Sequence, residues 1–174
     1  MVTSDDRRSA MLDLLTDYVL AEGLAAASLR PLAQAAGLSD RMLLYYFKDK
    51  AAVIAAVLER ISARLVALLG DRTGKRRLPI AALRREITAI VLADDLWPYM
   101  RVWLEVASRA GHGDPFYRAT GEQIARGFLA WGAAQLDSPT PEQRDADAAT
   151  LLVTIEGMVL LKSVGLDDVC RAAL

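Results

Sequence analysis

Few side chains in this sequence could do covalent or metal chemistry. His112 is the only histidine, flanked by Gly111 and Gly113, and no nucleophile, phosphate-cradling or metal-ligand constellation accompanies it. Cys170 is the only cysteine, which excludes an intrachain disulfide framework and a cysteine-built metal site, and fits a reducing compartment. The expectation is a non-enzyme with no catalytic residue, metal or cofactor. The groups suited to reversible binding lie elsewhere. Ser39, Asp40, Arg41, Met42 and Tyr45 follow a short helical segment and a glycine, and are the residues left outside when the apolar positions around them are buried.

Those residues need elements to hold them. Leu12, Leu15 and Val19 recur at spacings of three and four over residues 5–22, with Ser4 or Asp5 to start a helix and Gly23 to end it. Ser28 precedes LRPLAQAA, where Pro31 falls in a first turn that needs no amide donor, and Gly37 closes the segment after about two turns. Ser39 and Asp40 open a third helix through Met42, Leu43 and Tyr46 to Phe47 and Lys48, the acidic residue standing at the positive helix end. Ala33 and Ala36 allow close approach, while Leu32, Leu38 and Leu43 bury against the first helix. Two short helices joined by AAGLS have the layout of a helix-turn-helix over about residues 28–47.

The run from Ser28 through Leu29, Arg30, Pro31, Leu32, Ala33, Gln34, Ala35, Ala36, Gly37 and Leu38 to Ser39, then Leu43 and Tyr45 to Lys50, closely resembles the signature of the TetR family of transcriptional regulators. The resemblance covers about residues 4–60. It implies an all-α fold with a three-helix DNA-binding head over residues 1–49 and a helical effector-binding and dimerisation domain over residues 50–174. It also implies that Ser28, Tyr45, Tyr46, Lys48 and Lys50 hold phosphates, and that Arg30 contacts DNA. Arg41 and Met42, with Ser39, are the candidates for base edges, since a guanidinium can pair bidentately with guanine; Arg41 touching only phosphate is the competing reading. Asp40 could accept from a cytosine amino group or serve as a helix cap. Leu44 stands where the family often has a phosphate-touching tyrosine, a role Tyr45 could take. Phe47 reads as core.

Farther on, apolar positions at Val53, Val57, Ile61, Leu65 and Leu68 predict a long helix from Lys50 to about Leu69, ended by the basic stretch GDRTGKRRLP. Helical segments follow over Pro79 to Ala93, Leu96 to Ala110, Asp114 to Leu136 and Pro141 to Gly165. By resemblance the last two, residues 114–136 and 141–165, form a homodimer interface, with Gly157, Leu160, Leu161 and Val164 in its seam; closing a monomeric core is the alternative. Trp97, Met100, Trp103, Phe116, Phe128, Trp131 and Glu156 are the tentative lining of a pocket for a small, partly apolar effector, though aromatic clustering equally suits core packing. Arg101 and Glu105, four apart, are expected to pair along one helix. Glu156 lies within LLVTIEGMVLL and needs either a partner, such as an arginine across the interface, or a polar group of a ligand.

Bulk composition agrees with a helical globular chain of 174 residues, 53% hydrophobic and 25% charged. Net charge of −1 supplies no basic signature, and residues 1–50 hold six basic side chains against seven acidic. Any DNA-facing patch therefore arises from placement. The start lacks a secretory pattern and the apolar runs are too short to span a bilayer, so the expected partners are operator DNA, a second copy and an effector, with no membrane, in the cytoplasm. The alternative is a helical ligand-binding or interaction protein without operator binding.

Overall fold

The computed structural model describes residues 4–74 and 76–173. Its helices are α1 (Ser4–Glu22), α2 (Leu29–Ala35), α3 (Asp40–Tyr46), α4 (Lys50–Thr73), α5 (Ile80–Val91), α6 (Trp97–Gly111), α7 (Pro115–Gln135), α8 (Pro141–Ser163) and α9 (Asp167–Ala172). The cap expected at Ser4 or Asp5 lies outside the described side chains.

Two departures from the sequence reading have local causes. Helix α4 runs four residues past Leu69, because the Thr73 hydroxyl donates back to the Leu69 carbonyl and the helix stops only at Gly74, with φ of 73°. Helix α9 was not expected; six residues are too few to show a period, and Cys170 is its one buried side chain. The remaining ends fall within a few residues of the expected ones. Between helices, Leu78 bridges residues 135–137: its amide donates to Gln135 and its carbonyl accepts from Asp137, both at 2.9 Å. That bridge ties the α4–α5 connection to the end of α7.

The buried residues form two clusters that meet along α4 and α6. Leu15, Val19, Leu32, Leu43 and Phe47 of the first three helices pack on Val53, Val57 and Ile61 of α4, and the cluster continues into Val102, Val106 and Tyr117. The second joins Leu65 and Leu69 of α4 to Leu83 and Ile87, Met100, Leu136, Leu151 and Val159. The N-terminal half of α4 thus serves the head and its C-terminal half the body.

Candidate nucleic-acid interface and ligand cavity

The turn between α2 and α3 is built by its backbone. Gly37 has φ of 67°, the Gly37 amide donates to Gln34 at 3.0 Å and the Leu38 amide to Ala33 at 2.8 Å, the paired bonds of a helix ended by a left-handed residue. No atom would meet a Cβ at position 37, so the demand for glycine is conformational. The Ser39 hydroxyl accepts from the Met42 amide and caps α3; Asp40 stands in the first turn without being the cap. Asp49 likewise caps α4 through the Ala52 amide. Ser28 starts α2 with no side-chain capping bond, leaving its hydroxyl for other partners.

Leu32, Ala33, Leu43 and Phe47 point inward. Phe47 is core, as expected, and carries the Arg8 guanidinium 5.0 Å from its ring centre. Ser28, Arg30, Ser39, Asp40, Arg41, Met42, Tyr45, Lys48 and Lys50 are exposed, Tyr45 at 80%. Tyr46 is half-buried and meets the Tyr45 ring edge-on at 5.5 Å. Arg41, Leu44 and Tyr45 share one face of α3 at three-and-four spacing, and Lys48 follows beyond the extended Phe47 that ends the helix; all four are exposed. An exposed guanidinium and phenol on one short helix, with an ammonium just past its end, can reach phosphates and base edges together.

Away from this face, α4, α5, α6, α7 and α8 enclose a cavity of about 90 Å³, part of it open to solvent. Met100, Trp103, Phe128, Trp131 and Glu156 all line it. Trp97 and Phe116 do not. Trp97 is turned toward α8, where the Lys162 ammonium lies 4.9 Å from its ring centre. Phe116, in the first turn of α7 beside the head, packs on the first cluster and meets Tyr117 edge-on at 5.0 Å. Tyr99, one of the clustered aromatics, lines it too, and the stripe Ile61, Leu65 and Leu69 of α4 is lining that sequence reasoning missed. The α4 spacing was visible but reads identically for a packed core.

Glu156 is the one carboxylate on the cavity wall. Its Oε2 accepts from the Trp103 indole N–H at 2.5 Å. Burial pushes its carboxyl above the ordinary range, and the indole bond only partly opposes that.

Arg101 and Glu105, expected to pair with each other, reach instead to the end of α1. Arg101 donates to the Leu20 and Ala21 carbonyls at 3.0 and 3.1 Å, while Glu105 accepts from the Leu24 and Ala25 amides at 3.2 and 3.0 Å. The terminal carbonyls and following amides of α1 have no helical partners, so charged side chains satisfy them better than they satisfy each other. Gly23, with φ of 85°, is flush against this grip: a Cβ there would stand 2.6 Å from Glu105 Oε1. On the other side, Arg64 of α4 holds Asp13 and Asp17 of α1 at 2.7 and 2.5 Å. Two of the helices that wall the cavity, α4 and α6, therefore also grip α1. Among the described residues no helix is long and apolar enough to cross a membrane.

Comparison with known proteins places these features. The family description "Bacterial regulatory proteins, tetR family" matches residues 19–57. The HTH-type transcriptional regulator BetI of Paraburkholderia phytofirmans is 29% identical over 117 residues, covering 64% of this chain but only 58% of that relative's length. Among solved structures, a transcriptional regulator from Rhodococcus sp. Rha1 superposes with a TM-score of 0.68 at 25% identity, covering 91% of this chain and 82% of its own. A TetR transcriptional regulator from Legionella pneumophila gives 0.69 at 18% identity over 99% and 94%. The latter likeness is one of fold.

Proposed function

We propose that this chain, whose residues 19–57 match the tetR family description, is a cytoplasmic DNA-binding repressor of that family that leaves a palindromic operator when a small molecule fills the cavity. The observation that carries the proposal is the shared use of α4 and α6: the helices that wall the cavity also hold α1, the first helix of the head. A ligand that spreads this wall moves Glu105 and Arg64 against α1 and re-aims the head. Such a ligand must bind the DNA-incompetent arrangement more tightly than the competent one, since equal affinity would shift nothing.

Two heads are needed to read a palindrome, and the outer face of α8 suits a two-fold partner. Val153, Leu160 and Val164 are 72, 56 and 65% exposed, Gly157 lies open between them, and Leu161 is half-buried beside them. Self-pairing of this face with the matching part of α7 would set the two α3 helices on successive turns of one groove, about 34 Å apart. In the reading head, Arg41 and Met42 with Ser39 meet base edges, and Ser28, Arg30, Tyr45, Tyr46, Lys48 and Lys50 meet phosphates; Asp40 lies beside them and favours a cytosine amino group over a phosphate.

Sequence selection from random duplexes by the purified protein tests the proposal. The expected winner is an inverted repeat bound with an affinity that falls steeply with salt. Recovery of no motif, or of a salt-indifferent one, would overturn the palindrome reading. Titrating cavity ligands into the protein–operator complex tests release.

A further inference from the structure

The polarity of the cavity is one-sided. Its walls are aliphatic and aromatic, with Tyr99, Trp103, Phe128 and Trp131 supplying ring faces whose quadrupoles are negative. Among the described residues no lysine, arginine or histidine lines it, and Glu156 is its only carboxylate. One oxygen of that carboxylate, Oε2, is engaged by the Trp103 indole; among the described residues no donor reaches Oε1. Of the other polar groups of the wall, Ser62 donates its hydroxyl back to the Leu58 carbonyl, while the Tyr99 phenol, whose pKa burial raises, and the Trp131 indole are neutral donors that carry no charge to offset that of Glu156.

Resting on the reading of this cavity as a ligand site, we propose that its ligand is a protonated amine on an apolar, partly aromatic frame, whose ammonium N–H donates to Glu156 Oε1 while the frame lies among Trp103, Phe128 and Trp131. Three observations converge on that chemistry. A buried carboxylate with one open oxygen gains a full opposite charge and a donor from an ammonium, the pairing that best offsets its desolvation. Aromatic faces around it attract the same cation. The lack of any lining cation leaves nothing to hold an anionic ligand, and the like charge of Glu156 repels one. A neutral alcohol could fill the space and donate one hydrogen bond, but would leave the charge unbalanced. Glu156 is thus assigned as the residue that decides which ligands the cavity accepts, with shape deciding less.

The test uses three probes that share one frame: 4-(2-naphthyl)butylamine, the matching primary alcohol and the matching carboxylic acid. Calorimetric titration into the full-length protein at neutral pH should show the amine binding at least about tenfold more tightly than the alcohol, an increment that corresponds to about 1.4 kcal/mol, with the acid weakest. Glu156→Gln should erase the gap between amine and alcohol while leaving alcohol affinity within about twofold. Trp103→Phe removes the indole donor but keeps the carboxylate, and should retain the gap, which guards against a folding artefact in the first variant. Equal binding of amine and alcohol, tighter binding of the acid, a gap that survives Glu156→Gln or is lost in Trp103→Phe, or no binding of any probe would overturn the proposal. Operator release is read separately: an amine that binds through Glu156 and leaves DNA affinity unchanged would refute ligand-induced release and leave the cavity's chemistry standing.

Discussion

On the exposed face of α3 and just past its end, the guanidinium of Arg41, the phenol of Tyr45 and the ammonium of Lys48 stand in water, each free to change partner. In the cavity, a single carboxylate stands among apolar walls with one indole for company. The contrast lies in what each group loses before it binds. An exposed group trades water for a partner at small net gain and is screened by salt, so a face built this way reaches useful affinity only by adding many contacts and by pairing two copies. A buried charge has already lost its water, so one partner of the right sign changes its energy greatly. Specificity is spread over many residues in the head and concentrated on one in the cavity.

The two regions also differ in packing, and the largest expected effect tests that. Leu43 is fully buried under α3, and Leu151 is almost as buried but lies on the cavity wall. Truncation to alanine removes the same atoms at both sites. Leu43→Ala should cost roughly 4–5 kcal/mol and Leu151→Ala roughly 2–3, the upper and lower parts of the range for such changes, because a side chain facing empty space already lacks contacts on one side. Urea unfolding of both variants gives the comparison. Equal costs would mean that the cavity is closed by side-chain movement in solution.

Within the head, contacts that read and contacts that only hold should separate. Arg41→Ala is expected to lower affinity for the selected operator by about 1–3 kcal/mol while changing affinity for unrelated duplexes far less, so that sequence preference flattens at one position of each half-site. Lys48→Ala should weaken binding to all duplexes alike and reduce the slope of log affinity against log salt by about 1 per head. Fluorescence anisotropy over a salt series reads both. A uniform, salt-linked loss in Arg41→Ala would assign its guanidinium to phosphate instead.

The head was legible in the sequence throughout and the cavity only in part, for a physical reason. The determinants of the helix-turn-helix are local: the turn at Gly37, the cap at Ser39, and Leu32 and Leu43 at helical spacing each act within a few residues. The cavity is assembled from α4, α5, α6, α7 and α8, and membership depends on how those helices are rotated. Clustering of aromatics suggested a pocket, yet Trp97 turns to Lys162 and Phe116 to the head, while Ile61 and Leu65 of α4 enter instead. Arg101 and Glu105 make the same point. Their spacing permits an intrahelical pair, but the unsatisfied backbone at the end of α1, some 80 residues away in sequence, competes for both and wins.

The smallest expected effect turns on the cost of keeping Glu156 where it is. Burial raises its carboxyl above the ordinary glutamate value and the Trp103 bond opposes this only in part, so ionisation is harder in the folded chain than in the unfolded one. Below that ordinary value the side chain is protonated in both states and its burial carries no charge penalty. As pH rises, the unfolded chain releases the proton first, and folding stability is lost progressively until the folded carboxyl ionises too. Glutamine can accept the same indole N–H without ever bearing a charge. Glu156→Gln is therefore expected to raise Tm near neutral pH by roughly 2–4 °C, the shift that about 1 kcal/mol produces in a chain of this size. That advantage should shrink as pH is lowered toward 5. Scanning calorimetry across this range checks it, and a variant less stable than the parent at neutral pH would show that the carboxylate has found a compensating partner within the protein. A gain in stability coupled to loss of amine binding would identify Glu156 as a residue kept for recognition against the interest of the fold.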